Sequence, residues 1–267
     1  MMELSKRLQA VADLVTPQMS VADIGTDHGY LPIWLLNSGK CDRAIAMDVK
    51  KGPLQHAEEN RGKLLERGEL ALRQSDGLKA LDPGEVQCAV LAGMGGGLIL
   101  RILSEGQACG VTGSLKECIL QPQSEIEKVR RFLEQEGYET IAEDMVEENG
   151  KYYPMMKVVP PSKKAEKNDQ GGKAAGETGA SDAKWSEAEL RYGKMLLEHR
   201  HPVLKRFLLK EQKIRKKILT ELQERSGERA SQNQRIREIE EELQMIGQVL
   251  ETYEPAQEKE RRNQNAL

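Results

Sequence analysis

Aromatic residues make up only 4% of the 267-residue chain. No apolar run approaches the roughly 20 residues that a membrane-spanning helix needs, which excludes a transmembrane segment. The first ten residues, Met1 to Ala10, carry charge and no long apolar core, which argues against a signal peptide. A dominant charge sign is also missing: the net charge is −3, although 31% of residues are charged. That excludes nucleic-acid binding through overall basicity but is compatible with a local basic patch. The four cysteines, Cys41, Cys88, Cys109 and Cys118, show neither a CxxC nor a Cys/His spacing. No metal is therefore expected, and a reduced, cytoplasmic compartment is. A mean hydropathy of −0.61 is polar for one compact globule of this length. A compact domain joined to an exposed, charged segment accounts for it better.

The first ~160 residues alternate strand-like and helix-like segments. Leu4 to Val15 has apolar residues at helical spacing. Met19 to Gly25 is a short apolar run ending in glycine, followed by a helix over Tyr30 to Asn37. Further strands are predicted at 43–48, 71–75, 87–92 and 117–121, with helices at 52–67, 98–104 and 124–136. Ser124 and Glu127 are spaced as a capping box for the last of these. Tyr138 to Glu147 and Tyr152 to Val159 flank Asn149-Gly150, a hairpin turn. The reading is an α/β fold: a mostly parallel, Rossmann-like sheet with a terminal antiparallel hairpin, over residues 1–160.

Residues 161–184 contain lysines and glycines but almost no large apolar side chain, and read as a flexible linker. Residues 185–254 read as helical. Ile236, Ile239, Leu243, Ile246 and Leu250 form a heptad seam, and Leu204, Leu208, Ile214, Ile218 and Leu222 a second stripe. Ser226-Gly227 between them suits a turn, giving a helical coiled-coil hairpin; one continuous dimerising helix is the alternative. A monomer is favoured. Residues 255–267 read as a disordered tail.

The strongest local signal is Val21-Ala22-Asp23-Ile24-Gly25-Thr26-Asp27-His28-Gly29-Tyr30, a strand, a glycine turn and a helix start. Glycines let the backbone approach a cofactor, and the helix start offers free N–H donors. Asp27 stands where a dinucleotide fingerprint would place its second glycine. A carboxylate there repels a pyrophosphate but suits a sulfonium or an ammonium. Asp48 and Asp76 end the second and third strands, where acids meet ribose hydroxyls and the adenine amine. Ala92-Gly93-Met94-Gly95-Gly96-Gly97 follows the fourth strand, where glycines let substrate and cofactor approach. Gln121 and Gln123, at the fifth strand's end, are open between a substrate contact and a structural role. His28 is open between function and a polar turn.

Together these motifs resemble the bacterial tRNA (adenine-22, N1)-methyltransferases: Ala-Asp-Ile-Gly-Thr-Asp-His-Gly-Tyr-Leu-Pro at 22–32, Met47-Asp48, Ser75-Asp76-Gly77-Leu78 and Leu91-Ala92-Gly93-Met94-Gly95-Gly96. Asn149-Gly150-Lys151-Tyr152-Tyr153 and His201-Pro202 before the helical segment also fit. The resemblance implies a class I methyltransferase fold using S-adenosylmethionine, with tRNA as substrate. It implies cofactor contacts from Asp23, Gly25, Thr26, His28, Gly29, Asp48, Ser75, Asp76, Gly77, Ala92 and Gly93. Asp27 is the expected catalytic carboxylate, with Gly93 and Met94 beside it. An Asn-Pro-Pro-Tyr motif is absent, which favours ring-nitrogen over exocyclic-amine methylation. Lys205, Arg206, Lys210, Lys213, Lys216 and Lys217 are expected to contact tRNA phosphates. Rival readings are a methyltransferase acting on another RNA, a protein or a small molecule, a nucleotide-binding oxidoreductase, and a non-catalytic interaction protein.

Overall fold

The computed structural model describes residues 2–161, 184–224 and 230–254, and the chain falls into two compact units, Met1–Ser186 and Glu187–Leu267. In the first, seven strands form one sheet: β1 (Val21–Ile24), β2 (Arg43–Asp48), β3 (Glu69–Gln74), β4 (Cys88–Met94), β5 (Glu117–Pro122), β6 (Glu139–Glu148) and β7 (Lys151–Val159). Their order is β3-β2-β1-β4-β5-β7-β6. The first five are parallel, and β7 runs antiparallel to both its neighbours. Asn149 and Gly150 turn the terminal hairpin at φ +51° and +74°, the left-handed pair that a two-residue type I′ turn requires.

Five helices flank the sheet: α1 (Lys6–Leu14), α2 (Tyr30–Asn37), α3 (Lys51–Leu64), α4 (Gly96–Ala108) and α5 (Ile126–Gln135). Side-chain alternation divides the core in two. Ala22, Ile24, Ile45, Met47, Ala89, Leu91, Cys118 and Leu120 point to one face, against Ile99 and Leu103 of α4 and Val129 of α5. Val21, Ala44, Ala46, Cys88, Val90 and Ile119 point to the other, against Val11 of α1 and Leu35 and Leu36 of α2. Central strands covered on both faces read as continuous apolar runs, which is why they were visible in sequence.

Helix α1 is fixed at both ends. The Ser5 hydroxyl accepts from Leu8 N (3.3 Å). The Lys40 ammonium donates to the carbonyls of Ala12 (2.7 Å) and Asp13 (2.9 Å). Just beyond the helix, Thr16 N and its hydroxyl both donate to the Glu117 carboxylate (2.9 and 2.6 Å), which also pairs with Lys157 (2.9 Å).

The predicted Ser124–Glu127 capping box does not form. Helix α5 starts after Glu125, at φ +54°, without a side-chain cap, and Glu127 pairs with Arg131 instead (3.1 Å). The loop serves the neighbouring helix. The Ser124 carbonyl accepts from Gly96 N (3.1 Å) and the Glu125 carboxylate from Gly97 N (3.1 Å). Those bonds satisfy two orphan donors, so α4 begins at Gly96, before the predicted Leu98.

The second unit contains α6 (Glu187–Tyr192), α7 (Lys194–Glu198), α8 (Pro202–Glu224) and α9 (Ala230–Thr252). Left-handed residues Gly193 (φ +100°) and Arg200 (φ +49°) interrupt it. Tyr253 donates to the His201 carbonyl (3.3 Å) while Arg215 meets Glu242 (2.5 Å), so α8 and α9 run antiparallel. The predicted α8 stripe is corrected. Leu204 and Leu208 are buried, but Ile214 and Ile218 are exposed. The half-buried side chains continue instead through Arg215, Leu219 and Leu222. Arg215 is tied to Glu211 and Glu242, and Glu242 also takes Arg191 (2.9 Å). Residues 162–183 of the expected linker, the Ser226-Gly227 turn and the tail from 255 lie outside the described residues. No described helix is long and apolar enough to cross a membrane.

Candidate active site

The sheet order reverses between β1 and β4, with β2 and β4 both paired along Val21–Ile24 of β1 on its opposite edges. A crevice opens at the carboxyl ends of the strands at such a switch point. A cleft of about 280 Å³ lies there, lined by Asp23, Gly25, Thr26, Asp27, His28 and Gly29 after β1, by Ala92 and Gly93 at β4, and by Arg7, Leu8, Tyr30, Leu31 and Gln123.

The first turn is held by backbone. Gly25 N and Thr26 N both donate to the Met47 carbonyl (2.8 and 2.9 Å), drawing the loop over β2. Gly25 stands at φ +78°, and a Cβ there would meet Met94 Cε at 3.0 Å. Met94 therefore braces the loop and is absent from the cleft lining. Gly29, at φ +69°, caps α2 against Ala57. Gly93 (φ +81°) forms a bulge between Ala92 and Met94, which pair with the successive residues Gln121 and Pro122 of β5.

Asp23 is 7% exposed. Burial pushes its carboxyl up to about 6 from an ordinary 3.8, with repulsion from Asp48 adding to the rise. The Thr26 hydroxyl opposes that rise from close by. It is nevertheless buried and makes no hydrogen bond of normal geometry among the described residues. Asp27 is far more open, its side chain 76% exposed, with one carboxylate oxygen 3.2 Å from His28 Nε2. The His28 ring is stacked on Tyr30 and on His56 (centroids 5.3 and 4.9 Å). Asp27, His28 and His56 bring potential ligand atoms within 4.8 Å of one another. The two imidazoles lie only 12° from parallel, so their in-plane lone pairs run side by side rather than converging on one ion.

The other expected contacts lie off the cleft lining. Asp48 ends β2 beside Ser75, whose N donates to the Asp48 carbonyl (2.9 Å), and one Asp48 carboxylate oxygen accepts from Lys50 N (2.7 Å). The Ser75 hydroxyl donates to the Gly77 carbonyl (2.8 Å) and accepts from Ala80 N (3.2 Å), shaping the turn. Gly77, at φ +64°, packs on Ile102. The Asp76 carboxylate is gripped by Arg101 (2.8 and 3.0 Å) and Lys79 (3.1 Å), whose hydrogen bonds hold its carboxyl far below the usual range. Its charge is thus already balanced.

Sequence reasoning missed Arg7, whose guanidinium reaches the cleft from the polar face of α1. It donates to Gln121 Oε1 (3.0 Å) and lies 5.7 Å from the centre of the Tyr153 ring. Gln121 is fully buried, its Nε2 donating to the Pro122 carbonyl (3.1 Å), so it orients Arg7 and offers nothing to a substrate. Gln123 does line the cleft. In the second unit, Lys205, Arg206, Lys210, Lys213, Lys216 and Lys217 are all exposed along α8.

A family model described as a methyltransferase domain matches residues 4–156. The chain is 38% identical over 155 residues to the tRNA (adenine(22)-N(1))-methyltransferase of Bacillus subtilis, covering 58% of this chain and 64% of that one. The matched part is thus less than two thirds of that curated relative. It also resembles the crystal structure of the B. subtilis m1A22 tRNA methyltransferase TrmK, at TM-score 0.74 and 28% identity, covering 94% of this chain and 100% of the other. A Streptococcus pneumoniae protein, Sp1610, solved as a putative tRNA (m1A22) methyltransferase in complex with S-adenosyl-L-methionine, matches at TM-score 0.73 and 30% identity, over 93% of this chain and 100% of the other. With its switch-point cleft, the acids Asp23, Asp48 and Asp76 at or near the ends of its first three strands, and these likenesses, the chain belongs to the methyltransferase-domain family, in the branch of the bacterial tRNA (adenine(22)-N1)-methyltransferases.

Proposed function

We propose that this protein is an S-adenosylmethionine-dependent enzyme that methylates N1 of an adenine in tRNA, at position 22. The observation that carries the reading is the first loop. It combines a desolvated acid (Asp23), a buried hydroxyl close beside it (Thr26), and two left-handed glycines that leave the backbone open. This set fits a cofactor with a cationic end and a polar amino-acid tail, and a pyrophosphate fits it badly. Asp48, beside that loop, suits the ribose hydroxyls.

The bound cofactor supplies an electrophilic methyl group on a sulfonium. Adenine N1 already carries a lone pair, so the protein's task is to hold the ring in line and exclude water. Methylation leaves the ring cationic. Asp27, which lines the cleft, balances that charge as it develops. The glycines at 93 and 95–97, in place of an Asn-Pro-Pro-Tyr motif, fit a ring-nitrogen target. N1 lies on the Watson–Crick edge, so the adenine enters unpaired or flipped out. The exposed lysines of α8 supply sequence-independent phosphate contacts.

The test uses labelled S-adenosylmethionine and unmodified tRNA transcripts, with the product nucleoside identified by mass spectrometry and mapped. Label in 1-methyladenosine at position 22 supports the reading. Cofactor binding without transfer to any tRNA removes the substrate assignment.

A further inference from the structure

Resting on the tRNA reading above, we infer that a second cleft, beside the one at the switch point, takes the nucleobase next to the target adenine in the same strand and stacks it on the ring of Tyr30. This cleft has a volume of about 420 Å³ and apolar walls from Met2, Leu4, Leu8, Leu64 and Tyr30, with Glu3 and Ser5 as its polar residues. Leu8 and Tyr30 also line the first cleft, so the two share a wall. A strand that places its target base in the first cleft brings the next base to that wall.

Tyr30 ends a pile of three rings. His56 of α3 stacks on His28 at 4.9 Å and 12°, and His28 stacks on Tyr30 at 5.3 Å and 20°. The His28 carbonyl accepts from Asn60 Nδ2 (3.0 Å), which ties the pile to α3. One face of Tyr30 is thus backed by an imidazole, yet the residue stays 39% exposed. A ring held in place beforehand gives up little freedom on binding. Adenine N1 lies on the Watson–Crick edge, so the target base leaves its stack and its neighbour loses a stacking partner. Tyr30 replaces that partner, as aromatic side chains do for splayed RNA bases. A phosphate fits the second cleft badly. Among the described residues that line it there is no lysine or arginine, and the Glu3 carboxylate would repel the anion.

The experiment measures methylation by the whole chain of tRNAs carrying an abasic residue immediately 5′ or immediately 3′ of the target adenine. With the unaltered protein, one of the two is expected to raise the tRNA KM roughly 10- to 100-fold, the worth of one base stacked on an aromatic ring. Tyr30→Ala is expected to raise KM by a similar factor on intact tRNA and to add nothing on that abasic tRNA, because both changes remove the same contact. Tyr30→Phe, which keeps the ring, is expected to match the unaltered protein. An unchanged KM on both abasic tRNAs overturns the inference, and this needs no variant to fold. An equal loss from Tyr30→Ala on intact and abasic tRNAs overturns it too, by making the ring structural. A Tyr30→Ala defect confined to the Kd of S-adenosylmethionine, measured by calorimetry without tRNA, overturns it by placing the ring on the cofactor. Failure of the unaltered chain to methylate intact tRNA removes the tRNA reading itself, and this inference with it.

Discussion

Replacing Asp23 with Asn removes the one cleft acid that the fold keeps away from water, and its effect on stability depends on pH in a definite sense. The folded carboxyl sits at about 6 and the ordinary value is 3.8. At about 1.4 kcal/mol per pH unit, that gap is roughly 3 kcal/mol. The folded state binds this proton more tightly than the unfolded one. Above pH 6 both states are ionised and the full penalty is present. Stability from this group rises as pH falls from 6 towards 4, and below about 4 the penalty is gone. Glu85, held down to about 2 by its hydrogen bonds to Arg73, loses stability as pH falls instead. The absolute curve therefore mixes signs, and the difference between the two proteins isolates residue 23. Urea denaturation followed through Trp34 and Trp185, both in the first unit, measures that difference. Asp23→Asn is expected to gain up to about 3 kcal/mol relative to the unaltered protein on going from pH 4 to pH 7.5. Any cost of the Asn amide is a constant offset. A difference that stays flat across this range would refute the argument that Asp23 is desolvated. A stabilised variant that also loses cofactor affinity identifies the acid as kept for binding at the expense of stability.

Asp27→Asn is expected to lower kcat for methyl transfer about 100-fold, with cofactor Kd nearly unchanged; normal turnover removes the charge-balancing role. Gly96→Ala places a Cβ 2.6 Å from the Ser124 carbonyl, and a loss of roughly 1–3 kcal/mol is expected from forced backbone movement, read as a lowered Tm. Replacing Lys210, Lys213 and Lys217 together with Gln is expected to reduce the slope of log binding constant against log salt by roughly 2–3 for tRNA. An unchanged slope places the phosphates on other residues.

The strands were legible where the chain is buried on both faces. Predicted and observed limits coincide at Arg43–Asp48 and differ by a residue at Glu117–Pro122. The Asn149-Gly150 turn was legible because backbone conformation dictates those residue types. Local chemistry also marked Gly25, Asp27 and Gly29, which line the cleft. What escaped depends on contacts distant in sequence. Arg7 reads as one more exposed helix cation until α1 is laid against β5, 114 residues away at Gln121. Ser124 and Glu127 have the right spacing for a cap, but a second helix start competes for the same loop. In α8, the apolar residues Ile214 and Ile218 drew the stripe outward. The observed seam passes through Arg215, which hydrophobicity alone would assign to solvent.

That arginine gives the helical pair a property leucines would not supply. A purely aliphatic seam can slide by one heptad, about 10 Å at 1.5 Å per residue, and still bury similar surfaces. Here a slide of one heptad in either direction would pull the guanidinium off Glu242 of α9 and set it opposite Arg235 or Val249, neither of which accepts a hydrogen bond, while Glu211 on its own helix travels with it. The one-heptad shifts that leucines alone would tolerate are therefore disfavoured, as with an index pin in a sliding scale. The cations of α8 are then held at fixed intervals and in one register against α9.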